Sequence, residues 1–282
     1  MEPFNSPTAP HQARKRFGQN FLQDGAVIDR IVRAISPTGN HRFIEIGPGQ
    51  GALTLPIIEQ LAEHATLDLL ELDRDLAAQL ASQFSHDSRI KLHQIDALNF
   101  DFIKHRQQDD QTLRVFGNLP YNISTPLIFH LLEQCSQIDR HQVISDMHFM
   151  LQREVVDRMA AQPGSKTYGR LSVMTQYYCA VEPLFEVPPE AFNPKPKVMS
   201  MIVRLQPFES LPINADNPKL FHQVVKAAFS QRRKTLRNGL KTLITADQLE
   251  QLGINHTARA ETLPLTTFVE IANFLTTTSS NP

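Results

Sequence analysis

The feature that most constrains the fold of this chain is an alternation of short apolar runs with segments of helical periodicity. Phe43-Ile44-Glu45-Ile46, Leu67 to Leu72, Ile90 to Ile95 and Leu113 to Phe116 each have the length and composition of one buried strand. Val27 to Ile35, Ala52 to Ala62, Asp75 to Phe84 and Ser124 to Leu132 carry apolar residues at helical spacing before, between and after them. Ser124 is the expected cap of the last of these helices, with Pro126 in its first turn. Val143 to Phe149 and Val198 to Leu205 are further strand candidates. Strands that alternate with helices need crossover connections, which give an α/β fold with a mostly parallel sheet and helices on both faces. Ligands of such sheets sit beyond the carboxyl ends of the strands, so the chemistry is expected in the loops after each strand.

Around Pro207 to Pro218 the alternation gives way to a Pro/Asn/Asp-rich linker, after which Leu220, Phe221, Val224, Val225, Ala228 and Phe229 repeat at helical spacing. This divides the chain into residues 1–207 and a small all-α C-terminal domain, 208–282. A length of 282 residues with 41% apolar composition suffices for one sizeable core and a small second domain. The net charge of -1 excludes a protein that is basic all over, so any cationic face is local. One such segment runs from Pro218 to Thr245, which has no acidic residue but carries Lys226, Arg232, Arg233, Lys234, Arg237 and Lys241. It fits a surface facing RNA phosphates, and it also fits an ordinary solvated face. Arg14, Lys15 and Arg16 form a second basic stretch, interleaved with Phe17 and Phe21. Cys135 and Cys179 are far apart and have no ligand spacing, so a reducing compartment and no metal are expected. No run approaches the roughly 18 apolar residues of a membrane span, and Met1 to His11 lacks an apolar signal core. A cytoplasmic protein with no membrane partner is the expectation.

Glu45-Ile46-Gly47-Pro48-Gly49-Gln50-Gly51-Ala52 follows the first strand and opens a helix, where glycines admit close approach of a ligand to the backbone. By itself this turn fits a nucleoside cofactor or a plain tight turn, and Gly47-x-Gly49-x-x-Ala52 also satisfies a dinucleotide fingerprint. Glu71 ends the second strand, where a carboxylate can hold a ribose. Asp96 ends the third, where it can accept from an adenine amine or simply cap a helix. After the fourth strand comes Gly117-Asn118-Leu119-Pro120-Tyr121. An exocyclic adenine amine is a poor nucleophile because its lone pair is delocalised into the ring. Acceptors for both amine hydrogens, the Asn118 amide oxygen and the Leu119 carbonyl, would aim that pair at an electrophile. Pro120 stiffens the turn, and Tyr121 offers a face on which an extruded base can stack. The same residues also serve as ordinary turn formers with a rim aromatic. Their position after this series of strands favours the chemical reading.

Lys15-Arg16-Phe17-Gly18-Gln19-Asn20-Phe21-Leu22, Glu45 to Thr54, Glu71-Leu72-Asp73, Asp96-Ala97, Val115 to Tyr121 and Phe192-Asn193-Pro194-Lys195-Pro196-Lys197-Val198 together resemble the ribosomal RNA adenine N6,N6-dimethyltransferase family, bacterial KsgA type, from about residue 12 to the end. The resemblance implies a Rossmann-like S-adenosylmethionine-dependent methyltransferase fold. It also implies dimethylation of N6 of two adjacent adenosines in a hairpin near the 3′ end of small-subunit ribosomal RNA, as part of small-subunit biogenesis. By that resemblance Asn20 and Leu22 contact the methionine part of S-adenosyl-L-methionine, Gly47 and Gly49 line its turn, Glu71 takes the ribose and Asp96 the adenine. Asn118 touches both cofactor and target, and Phe192 is a second aromatic opposite Tyr121, although a core Phe beside a Pro-rich turn fits the sequence equally. Gln231 to Thr235 resembles the C-terminal signature. Met199 departs from the pattern, since family members commonly have a polar residue there. The implied partner is small-subunit RNA within a pre-small-subunit particle, bound by a monomer. The rival readings are an adenine methyltransferase acting on large-subunit RNA or on DNA, a non-catalytic RNA-binding assembly factor that keeps the fold, and a nicotinamide dehydrogenase. The last leaves Asn118 to Tyr121 unexplained.

Overall fold

The computed structural model describes residues 20–106, 112–136, 143–231 and 233–279. In chain order its elements begin with β1 (Phe21–Leu22), α1 (Gly25–Ile35), β2 (Arg42–Ile46), α2 (Thr54–Ile58), β3 (Thr66–Glu71), α3 (Arg74–Gln83) and β4 (Ile90–Gln94). They continue with α4 (Phe102–Arg106), β5 (Leu113–Asn118), α5 (Ser124–Ser136), β6 (Ile144–Gln152), α6 (Arg153–Met159), α7 (Arg170–Tyr178), β7 (Cys179–Val187), β8 (Phe192–Asn193) and β9 (Ser200–Pro207). Four helices follow the last strand: α8 (Pro218–Ala228), α9 (Leu236–Gly239), α10 (Ala246–Gln251) and α11 (Leu265–Ser279).

The large sheet has the order β4-β3-β2-β5-β6-β9-β7. Strands β4 to β6 pair in parallel, and β9 adds antiparallel to both β6 and β7. From β2 the chain builds outward through β3 to β4 and then returns to β5 on the other side. The direction of winding therefore reverses between β2 and β5, which opens a crevice at their carboxyl ends. Period-two burial assigns the two faces. Ile44, Ile46 and Val115 join a cluster with α5 and α7, whereas Phe43, Leu67, Leu69 and Phe116 pack with Ile31, Val32 and Ile35 of α1. Helix α1 forms because Asp24 accepts hydrogen bonds from Ala26 N and Val27 N, and it ends where Ser36 turns left-handed at φ 48°.

Several local readings change. The expected helix Ala52–Ala62 contracts to Thr54–Ile58, because the glycine turn occupies the residues before it and Leu61 reaches the core from a turn. Ser124 does not cap α5 from outside; it is the first helical residue, and its hydroxyl donates to the Tyr121 carbonyl at 3.2 Å. Strand β9 begins two residues later than the apolar run, with Val198 left 41% exposed. The linker residues are tied down, since Ala215 N donates to the Tyr177 hydroxyl (3.0 Å) and Asp216 N to Asn273 Oδ1 (2.8 Å). Phe221, Val224, Phe268 and Ile271 of α8 and α11 belong to the same buried cluster as Val173, Tyr177 and Tyr178 of α7. Among the described residues no helix is long and apolar enough to cross a membrane.

Buried beneath α4, the Asp68 carboxylate meets His93 Nε2 at 2.6 Å and His105 Nε2 at 3.0 Å. These groups cluster as metal ligands do. However, the Arg42 guanidinium lies 2.8 Å from His105 Nε2 and 3.4 Å from Asp68, and so supplies the positive charge a cation would bring.

Candidate active site

At the crevice between β2 and β5 lies a cavity of about 340 Å³, lined by residues that follow β2, β3, β4 and β5 and by Asn20 to Leu22. This is within the range of small-molecule sites, about 300–1,000 Å³. Gly47 and Gly49 adopt φ +67° and +59°, a left-handed backbone that favours glycine. A Cβ on Gly49 would also press on the Phe21 ring at 3.3 Å. Gly117 is needed for another reason: a Cβ there would fall 2.3 Å from the Ile46 carbonyl oxygen, so only glycine lets the ends of β2 and β5 approach.

Two carboxylates shape the glycine turn. Glu71, 6% exposed, accepts from Gly49 N–H at 3.1 Å through one oxygen and from Asp73 N–H at 2.8 Å through the other. Each oxygen keeps a second lone pair for a ligand hydroxyl. Burial raises the pKa of Glu71, and hydrogen bonds from the backbone of Asp73, Gly49 and Leu72 oppose that rise while the charge of Asp73 adds to it. Glu45, 2% exposed, accepts the Thr54 hydroxyl at 2.6 Å. Burial pushes it up to about 8 against the Thr54 hydrogen bond, with the charge of Glu71 adding to the rise. Asp96 lines the cavity and uses Oδ1 to accept from Leu98 N at 3.0 Å, so it caps the turn after β4 from within the cavity wall.

The turn after β5 is held on both sides. Leu119 N donates to Met150 O at 3.2 Å, while the carbonyls of Pro120 and Tyr121 accept from Ile123 N, Ser124 N and the Ser124 hydroxyl. Of the Leu119, Pro120 and Tyr121 carbonyls, that of Leu119 meets no donor among the described residues and is open to an incoming one. Asn118 Nδ2 donates to the Asn20 carbonyl at 3.2 Å, which sets the amide so that its oxygen is the end offered to a ligand. The cavity thus presents two acceptors beside the half-buried Tyr121 ring.

Asn20, Leu22, Gly47, Gly49, Glu71, Asp96 and Asn118 to Tyr121 all converge on this one cavity. Phe192 is not among its lining residues. It is 5% exposed, pairs with Leu22 across the β1–β8 ladder and packs with Met150 and Ile202, because the antiparallel pairing turns it into the core. Arg14, Lys15, Arg16 and Arg232 lie outside the described residues. Arg233, Lys234 and Arg237 are exposed, as are Lys226 and Lys241, and none has an acidic partner among the described residues. Glu45, Gly117 and Leu72 stand in the sequence motifs, but residue-level reading gave none of them a role. A carboxylate inside an otherwise apolar strand was the available signal for the first. Leu72 lines the cavity while 48% exposed, an apolar surface fit for the face of a ring.

Residues 10–277 match the family described as ribosomal RNA adenine dimethylase. The chain is 56% identical over 265 residues to a ribosomal RNA small subunit methyltransferase A from Pseudomonas aeruginosa, covering 94% of this chain and 95% of that protein. It is 54% identical over 269 residues to the protein of the same name from Saccharophagus degradans, covering 95% and 97%. Among solved structures it shares the fold of a dimethyladenosine transferase from Plasmodium falciparum, with TM-score 0.75, 23% identity and coverage of 92% and 98%. It likewise shares that of the 23S rRNA methyltransferase ErmE, with TM-score 0.67, 21% identity and coverage of 91% and 100%.

Proposed function

The chain belongs to the ribosomal RNA adenine dimethylase family, and from that premise we propose that it transfers methyl groups from S-adenosylmethionine to N6 of adenosines in small-subunit ribosomal RNA, giving N6,N6-dimethyladenosine. The observation that carries this reading is the pair of acceptors, Asn118 Oδ1 and the Leu119 carbonyl, held beside Tyr121 at the mouth of a glycine-lined cavity.

The residues present fit the cofactor. Gly47 and Gly49 take a left-handed backbone at the cavity, and Glu71, Asp96 and Leu72 line it; Glu71 would hold the ribose, Asp96 with Leu72 the adenine, and Asn20 with Leu22 the methionine part. When bound, S-adenosylmethionine supplies an electrophilic methyl group. The chain's own work is positioning. Accepting both amine hydrogens turns the nitrogen lone pair out of conjugation and towards the cofactor side, and Tyr121 keeps the base in place. No acid–base pair is required, because the alkylated nitrogen is strongly acidic and loses its proton to water.

Residues 1–207 do the chemistry, and residues 208–282 present the cationic surface of Lys226, Arg233, Lys234 and Arg237 to RNA phosphates. The substrate is the RNA within a pre-small-subunit particle, met by a monomer. Transfer to unmethylated small subunits, followed by digestion to nucleosides, tests the reading directly. Asn118→Ala should lower single-turnover transfer about 100-fold or more with an unchanged melting curve, as for other lost transition-state partners. Near-wild-type dimethyladenosine formation by the folded variant would remove Asn118 from the mechanism.

A further inference from the structure

Tyr121 does more than sit on the rim of the cavity. Its hydroxyl shares a 2.7 Å hydrogen bond with Ser200 Oγ, although the two residues are 79 apart in sequence. Ser200 has no exposed surface, and it opens β9 at a point where it is in register with Gln152 of β6 on one side and Val187 of β7 on the other. The residue before it is fixed as well, with the Met199 carbonyl accepting from Arg153 N at 2.9 Å. Two ladders and a backbone bond therefore immobilise the partner of the Tyr121 hydroxyl. The other end of the turn is held by Leu119 N on Met150 O.

A tyrosine side chain has two torsions, and a tether at its tip fixes both, so the plane of the ring is set before any base arrives. A ring already in place gives up no rotamer freedom when a base stacks on it. Burial raises the pKa of the Tyr121 hydroxyl above that of an ordinary phenol, against the hydrogen bond to Ser200, so the group stays neutral. The hydroxyl is thus committed to the scaffold rather than to proton transfer.

We propose that Ser200 is a positioning residue for the target base, acting through its hydroxyl on Tyr121 to hold the stacking face in one orientation. The inference rests on the reading of Tyr121 as the stacking residue, and its test separates the two. Unmethylated small subunits are the substrate for single-turnover transfer at saturating enzyme and S-adenosylmethionine, with S-adenosylhomocysteine affinity by calorimetry and melting curves as controls. Ser200→Ala and Tyr121→Phe should each slow transfer about 3- to 10-fold, the size expected for one lost neutral hydrogen bond, with cofactor affinity unchanged. The double variant should be no slower than either single one, because both changes remove the same bond. Ser200→Thr, which restores a hydroxyl, should recover the rate. Wild-type rates in Ser200→Ala and Tyr121→Phe, or a double variant whose loss is the product of the two single losses, would overturn the proposal. If Ser200→Ala fails to fold, Tyr121→Phe interrogates the same bond from the other side. A Tyr121→Ala protein at the wild-type rate would instead refute the stacking reading itself. Loss in Tyr121→Ala without loss in Tyr121→Phe and Ser200→Ala refutes only the role of Ser200.

Discussion

Glu45 and Asp68 sit on neighbouring strands, both buried, and their environments drive them in opposite directions. Glu45 has one neutral hydroxyl for company and is pushed up to about 8. For Asp68 burial also acts upward, but hydrogen bonds from His105 and His93 and the charges of His105 and Arg42 outweigh it and hold the carboxyl well below the usual range. The consequences for stability have opposite signs. Because its folded value lies above the unfolded one of about 4.3, Glu45 contributes stability that is full below that value and is lost as pH rises through about 8. Asp68 contributes stability above the ordinary carboxylate value that is lost as pH falls through its depressed one. Melting temperatures of the cofactor-free protein should therefore decline between pH 6 and 9. Glu45→Gln, which still accepts from Thr54 but cannot ionise, should be flatter over that window. Parallel curves for the two proteins would show that Glu45 is already ionised in the folded protein below that window, and would remove its raised pKa.

The elements place these residues by pairing that no local pattern announces. The two-residue ladder of β1 with β8 lays Asn20, Phe21 and Leu22 over the cavity, where Asn20 orients Asn118 and Phe21 packs on Gly49. At the other end of the chain, α8 starts at Pro218 under an Asn217 cap, and α9 follows it with Arg237 exposed. Arg233 and Lys234 lie exposed between these helices without acidic partners among the described residues, which is the observation behind the proposed phosphate contact. Charge reversal of Arg233, Lys234 and Arg237 together should flatten the salt dependence of binding to small subunits. Every phosphate that is no longer neutralised takes about 0.7–0.9 off the slope of log K against log salt. S-adenosylhomocysteine affinity should not change. An unaltered slope would return these residues to the role of a solvated face.

At the scale of the whole molecule, the helices after residue 207 are not an appendage. The Tyr177 ring lies 4.4 Å from that of Phe221, and the Tyr178 hydroxyl meets His222 Nε2 at 2.6 Å. Burial lowers the proton affinity of His222, which favours the neutral ring as the partner in that bond. Removing residues 208–282 would expose Tyr177 and Tyr178, each 2% exposed or less in the full chain. Uncovering side chains of this size costs about 1.5–3 kcal/mol apiece, or roughly a 10 °C drop in melting temperature for a chain of this size. The full chain is expected to melt in one calorimetric transition and the shortened chain well below it. A shortened chain that melts at the full-length temperature would mean that the two parts have independent cores.

What the sequence by itself determined were the features decided within a few residues of chain. The two periods that distinguish strand from helix, the glycine-rich turn after the first strand, and the short offsets from strand ends to Gly47, Glu71, Asp96 and Asn118 are all local, and all were legible. Family likeness added the activity, because an ordered set of such motifs is far more specific than any one of them. Only the tertiary structure decided which residues distant in sequence would meet. It turned Phe192 into the core beside Leu22, gave both oxygens of Glu71 to backbone donors, buried Glu45 beside Thr54 and tied Tyr121 to Ser200. Strand β7 and helices α6 and α7 complete the sheet edge and the seat of the C-terminal helices, yet the region from Arg153 to Val187 that forms them carries little that reads as either period. Helix α7 is buried almost all round, from Leu171 to Thr175 and at Tyr177 and Tyr178, while β7 is an edge strand left largely exposed, so neither shows the one-sided burial that a pattern along the chain encodes.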